Sequence, residues 1–218
     1  MLGDRIMEIT GAIFDFDGTL FDSMPLWHGV RDRFFNHIGI AMSDEDKELF
    51  KGLYLRESLI LAKERFGFAE TYEELFNQFF DFMKDLYLSG ACPKNDIADF
   101  LGRLKAKGVK MGIATASGES AIEAALKKYD MLEYFSAIYS TYTVGAAKTD
   151  PKVYDTVLNA LGTDKRTTWV FEDALYAAKT AKESGYNLVG IYDESEPNTK
   201  VLEEISDIYI HNYSEIDV

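Results

Sequence analysis

The chain has 218 residues, 47% of them hydrophobic, with 23 Lys and Arg against 37 Asp and Glu, a formal charge of -14 at pH 7. That length buries a sizeable core, and the acidic balance repels nucleic acid and anionic membrane surfaces. The N-terminus, "MLGDRIMEITGAIFDF", lacks a basic region followed by an uninterrupted apolar segment, and no run reaches about 18 apolar residues, so a cytoplasmic protein that neither spans nor binds a membrane is expected.

In chain order, "GAIFDF" reads as a strand ending near Asp15, bounded by turn residues and rich in apolar side chains. From Asp22 to about Gly90 no convincing strand follows; "PLWHGVRDRFFNHIG", "SDEDKELFKG", "RESLILAKERFG" and "TYEELFNQFFDFMKDLYLSG" read as helices, an insertion over 22–89. Ser43 with Asp46, and Thr71 with Glu74, have capping-box spacing. The aromatics Phe34, Phe35, Phe76, Phe79, Phe80 and Phe82 are expected to form the insertion's own core. Cys92, the only cysteine, is expected to be inert packing, because it has no disulfide partner and the His are too few for a Cys/His metal site.

Beyond it, "VKMGIAT", "SAIYST", "TWVFED" and "NLVGIY" read as strands alternating with the helical patterns "NDIADFLGRLKAKG", "GESAIEAALKKY", "DPKVYDTVLNALG" and "ALYAAKTAKESG". After Pro197 a last helix and a short edge strand, "DIYIH", close the chain. Strand–helix alternation predicts an α/β fold with a parallel sheet.

The first strand ends in "DFDGT". On a strand Asp15 and Asp17 project to the same side, at the carboxyl end where open parallel sheets bind ligands. Gly18 permits a tight turn whose N–H groups approach an anion. A calcium loop starting at Asp15 would need Gly and Glu where Leu20 and Leu26 stand. A solvated acidic turn is the other plain reading, but the later strand ends carry complementary chemistry. Thr115 offers a hydroxyl and neighbouring N–H groups, Lys148 an ammonium near a helix start, and Glu172 and Asp173 a second acidic pair. Together they describe an anion site beside a magnesium site.

These motifs resemble the haloacid dehalogenase superfamily, in the branch with a helical cap inserted after the first motif. The first motif is matched in full from Phe14 to Ser23, the second by Thr115 and the third by Lys148 in "KTDPKVY". The fourth keeps Glu172 and Asp173 but has Ala174 and Ala177 where the family has Ser and Gly. The resemblance implies a Rossmann-like core over 1–21 and 90–218 with helices on both faces, and a cap over 22–89. It also implies that Asp15 is the nucleophile forming an aspartyl phosphate and that Asp17 is the general acid, then base. Thr115 and Lys148 would assist catalysis, and Gly18, Thr115, Ala116 and Lys148 would hold phosphate. Mg²⁺ would be held by Asp15, the Asp17 carbonyl and Asp173, with Glu172 acting through water.

The cap segment "FKGLYLRESL" resembles a loop that closes over related sites, which makes Lys51 and Arg56 candidate substrate contacts, together with Trp27 and His28. Solvated surface cations are the plain alternative for the first two. The expected activity is release of phosphate from a small phosphorylated metabolite, by a monomer or weak homodimer. A sugar phosphomutase of beta-phosphoglucomutase type is the enzymatic alternative; those mutases usually carry a His at the position of Trp27, and His28 is turned about 100° away on a helix. A phospho-accepting signalling module is the non-enzymatic alternative, disfavoured by chain order and by the insertion.

Overall fold

A computed structural model describes residues 8–218; residues 1–7 of the expected core lie outside the described residues. Six strands form one parallel sheet: β1 (Gly11–Phe14), β4 (Lys110–Thr115), β5 (Phe135–Ser140), β6 (Thr168–Glu172), β7 (Asn187–Ile191) and β8 (Ile208–Ile210). Their order is β5-β4-β1-β6-β7-β8. From β1 the chain first builds outward through β4 and β5, then returns to β6 on the other side. The switch point therefore lies at β1, whose carboxyl end opens into the crevice where such sheets bind ligands.

The strands are buried on both faces, as parallel sheets require. Ala12, Phe14, Ile113 and Phe171 pack to one side with Phe100 and Leu104 of α6 (Ile97–Ala106) and Ile122 and Leu126 of α7 (Glu119–Lys128). Ile13, Ala114, Val170 and Leu188 pack to the other side with Val153 and Val157 of α9 (Lys152–Leu161) and Ala178 and Ala181 of α10 (Leu175–Glu183). Alternate residues of each strand thus feed two helical layers. The tail forms the expected helix, α11 (Thr199–Ile205), and β8 at the sheet edge.

Between β1 and β4 lie α1 (Met24–Trp27), α2 (Val30–His37), α3 (Asp44–Phe50), α4 (Leu55–Phe66) and α5 (Tyr72–Gly90). Both expected capping boxes form: Ser43 and Thr71 accept from the N–H of Asp46 and Glu74, whose carboxylates accept in return. Phe34, Phe35, Phe79 and Phe80 are buried together, with Phe76 and Phe82 packed against them. Two expectations needed correction. The run from Pro25 to Gly39 is broken, because Gly29 adopts φ 61° and ends one helix before the next begins. Cys92 is exposed, since it sits on a two-residue strand, β3 (Cys92–Pro93), at the surface. That strand pairs antiparallel with β2 (Phe21–Asp22), so the two crossings between the helical segment and the sheet run side by side.

Helix α5 anchors the segment to the sheet layer. It packs along α7, and Gly118 at the start of α7 is there because a Cβ would stand 2.5 Å from the Phe80 ring.

Candidate active site

Beyond β1 the ladder continues for one bond, from the Asp15 N–H to the Phe171 carbonyl at 2.9 Å, which fixes Asp15 over the switch point. Lys148 arrives from the loop between α8 (Thr141–Val144) and α9, and the residue is 97% buried. It lies 2.5 Å from Asp15 and 2.8 Å from Glu172. Glu172 is fully enclosed and also accepts from the Tyr154 hydroxyl at 3.3 Å. Asp173 accepts from Thr19 at 2.8 Å. Carboxylate oxygens of Asp15, Glu172 and Asp173 lie within 4.8 Å of one another.

Three buried carboxylates face one ammonium. Burial lowers the affinity of Lys148 for its proton, but Asp15 and Glu172 outweigh that and hold the ammonium charged, well above the ordinary lysine range. The acids pay in the opposite direction. Burial, then Glu172, push Asp15 up to about 8 against the pull of Lys148, and burial followed by Asp15 pushes Asp173 well above the carboxylate range. This surplus of enclosed negative charge, presented by hard oxygens, fits a divalent cation.

Gly18 has φ 81°, and a Cβ there would stand 2.3 Å from Asp173 Oδ2. Its own N–H donates to the Phe21 carbonyl at 2.9 Å, so in this structure its part is steric rather than anion binding. Thr115 is buried and its hydroxyl accepts from the Ser117 N–H at 3.0 Å, bending the chain so that Ala116 stands exposed at the strand end.

Asp17 lies outside the carboxylate cluster, in a cage of hydroxyls. Ser23 donates to Oδ1 at 2.6 Å, Ser117 to Oδ2 at 2.6 Å, and Tyr87 of α5 reaches both oxygens at 2.8 and 3.0 Å. Burial first, and then Asp17, hold the Tyr87 phenol well above the tyrosine range, so it remains a donor. Two acids two residues apart therefore occupy opposed surroundings: Asp15 beside an ammonium, Asp17 among neutral donors. That is an arrangement for dividing nucleophilic and proton-transfer roles.

A family model described as haloacid dehalogenase-like hydrolase matches residues 12–191. The chain belongs to that family. The phosphorylated carbohydrates phosphatase of Thermotoga maritima is 25% identical over 174 residues, 80% of this chain and 81% of that protein. Hexitol phosphatase B of Escherichia coli K12 is 27% identical over 182 residues, 80% of this chain and 81% of that protein. In fold, the chain is similar to CbbY from Rhodobacter sphaeroides in complex with phosphate, with a TM-score of 0.76 and 20% identity over 95% of this chain and 96% of that one. This haloacid dehalogenase-like hydrolase is an enzyme of the phosphatase type.

Within the hydrolase, the four expected specificity residues scatter. Lys51 is exposed and pairs with Glu48 at 3.1 Å, and Arg56 stacks over the Tyr72 ring at 5.8 Å. Both side chains are exposed on the helical segment. Trp27 is half-buried against Phe79, whereas His28 lines a different cavity, with Asp22, Lys94 and Tyr192. The expected helical offset of about 100° does not apply: α1 ends at Trp27 and His28 follows it with extended backbone (φ -65°, ψ 120°), so the helix end sets its direction. Sequence reasoning missed Tyr87, Ser117, Thr19 and Tyr154 as partners of these acids. It also missed Tyr176, half-exposed in the first turn of α10, whose phenol is pushed up to about 12 by burial and by the acidic cluster against the pull of Lys148. The Ser117 hydroxyl, two residues after the expected Thr115, carried a signal in its spacing; Tyr87 carried none.

Proposed function

We propose that this hydrolase removes phosphate from a small phosphomonoester, a sugar phosphate or similar metabolite, through an aspartyl phosphate on Asp15 with magnesium as cofactor. The observation that carries the reading is the buried Lys148 between Asp15 and Glu172 with Asp173 alongside. Asp15, Asp173 and the Asp17 carbonyl would hold the ion. Glu172, whose Oε2 takes Lys148 and Tyr154 and whose Oε1 takes the Ala174 N–H at 3.3 Å, would act at one remove. Bound magnesium supplies the positive charge that lets a carboxylate and a phosphate meet.

An Asp15 oxygen attacks phosphorus as the ester P–O bond breaks, and Asp17 gives its proton to the departing alcohol oxygen. Asp17, now a carboxylate, then takes a proton from water. The water oxygen bonds to phosphorus, the Asp15–phosphorus bond breaks, and inorganic phosphate leaves. Lys148 keeps positive charge against Asp15 and the transferring phosphoryl group throughout.

The paired strands β2 and β3 at its base support reading residues 22–89 as a cap on a core of 1–21 and 90–218. Among the described residues no helix is long and apolar enough to cross a membrane. A phosphate-release screen over sugar phosphates, phosphoglycolate, nucleotides and polyol phosphates, with Mg²⁺ present, tests the reading. Metal-dependent release by the wild type, lost in Asp15→Asn, supports it; equal release by that variant overturns it.

A further inference from the structure

Helix α10 begins directly beyond Asp173, and its first residues lack a cap of their own. The N-cap position is Ala174, with φ -89° and ψ 121°, which has no side-chain oxygen for the free N–H groups of the first turn. Helices α3, α5 and α8 begin instead on Ser43, Thr71 and Ser140, whose hydroxyls accept from the N–H of Asp46, Glu74 and Thr143. At α10 the acceptor comes from another loop. Glu196 Oε2 accepts from the Leu175 N–H at 3.0 Å, across 21 residues of chain.

The register of the sheet explains the meeting. Glu172 pairs with Gly190, so the segments leaving β6 and β7 run out side by side. The segment after β7 is also braced. Asp193 is 96% buried; one of its oxygens accepts from Lys94 at 2.7 Å, and the other accepts from the Ser195 N–H and hydroxyl at 3.0 and 2.6 Å. The Glu196 N–H donates to the Asp193 carbonyl at 3.2 Å, and Glu196 Oε1 accepts from the Asn198 N–H at 2.8 Å. Both Glu196 oxygens are thus engaged, and the side chain that reaches α10 is held in place.

The effect falls on Asp173, whose carboxylate is aimed by the main chain at 173–175 as well as by Thr19. On that stretch Glu172 Oε1 accepts from the Ala174 N–H at 3.3 Å, and Glu196 takes the next N–H. We propose that Glu196 is a positioning residue for the cation site: by capping α10 from across the loop, it fixes the backbone on which Asp173 stands. The inference rests on the magnesium reading of Asp15, Asp173 and the Asp17 carbonyl. A carboxylate is the side chain that the positive end of a helix dipole favours. Groups that orient a metal ligand are worth about ten- to hundredfold in affinity, and one acting through the backbone belongs at the lower end.

Calorimetric titration of the EDTA-treated full chain with MgCl₂ at pH 7 reads the ion without turnover. Glu196→Ala should weaken Mg²⁺ binding about tenfold. Glu196→Gln, whose amide oxygen still accepts, should stay within about threefold of the wild type. Glu194→Ala removes the same charge from the same loop and should change binding less than about twofold in ~0.15 M salt. Leu175→Pro deletes the donor at a helix position that tolerates proline, and in that background Glu196→Ala should have no further effect. In kinetics, saturating Mg²⁺ should return kcat of Glu196→Ala to near the wild-type value, whereas a general loss of structure would lower kcat at every concentration. No Mg²⁺ binding by the wild type overturns the magnesium reading first. Wild-type binding that Glu196→Ala leaves unchanged, or that Glu196→Gln weakens as much as Glu196→Ala does, overturns the positioning role alone. A further loss on Glu196→Ala in the Leu175→Pro background overturns it too.

Discussion

Among the described residues Lys148 is the only cation bonded to Asp15 and Glu172, so removing its charge should harm both stability and chemistry. Lys148→Met leaves Asp15 and Glu172 facing each other without an ammonium; breaking a buried pair in this way costs about 3–5 kcal/mol. Urea unfolding measures the loss, and phosphate release should fall to background. The same surplus charge sets a pH dependence. With Asp15 pushed up to about 8 from 3.8, the folded protein without cation keeps a proton that the unfolded chain has released, so stability falls as pH rises from about 4 to 8. Asp173 shifts in the same sense. Saturating Mg²⁺ should flatten that slope, which melting curves at pH 5, 6.5 and 8 with EDTA or Mg²⁺ would read. Asp17→Asn should cost several orders of magnitude on a poor leaving group and less on an activated aryl phosphate in single turnovers, because protonation matters less there. Asp15, Asp17, Lys148 and the second acidic pair were legible in the sequence because their chemistry is fixed by position at strand ends. Tyr87 meets Asp17 across a separation of 70 residues, and such a contact leaves no local trace.

At the scale of elements, the contact of α5 with α7 decides where Tyr87 stands. Gly118→Ala would drive a methyl into the Phe80 ring, and overpacking of this kind costs about 1–3 kcal/mol. The expected fall in Tm is about 2–4 °C per kcal/mol for a chain of this size. Activity should fall with it, as α5 carries the Tyr87 hydroxyl away from Asp17; Tyr87→Phe should reproduce the activity change while leaving the Gly118 contact intact. The regular alternation from α6 to β8 could be read in the sequence because each strand is a short apolar run and each helix closes on a recognisable stop. The break at Gly29 could not, since "HGV" within an otherwise helical run is tolerated as often as it interrupts. Nor could β2 and β3, because two residues are too few to show a period. That same brevity hid the exposure of Cys92, whose neighbours Ala91 and Pro93 suggest packing.

For the whole molecule, charge governs approach. A protein of -14 repels a phosphate dianion until the dianion reaches the buried Lys148, so kcat/KM at saturating Mg²⁺ should rise severalfold as NaCl increases from about 10 to 150 mM and the Debye length contracts. A fall would show that local attraction, and not the overall field, limits encounter. The pairing of Phe21 with Pro93 and of Asp22 with Cys92 has a different consequence. Both severed ends of the sheet layer already lie one strand spacing apart, so a hairpin turn of two to five residues, a common length for such loops, could splice Asp22 directly to Cys92. The ends of the excised helices would be equally close, ready to be joined to another host. The helical segment is thus mounted like an interchangeable fitting, and it could be exchanged without re-threading a single strand of the six-stranded sheet.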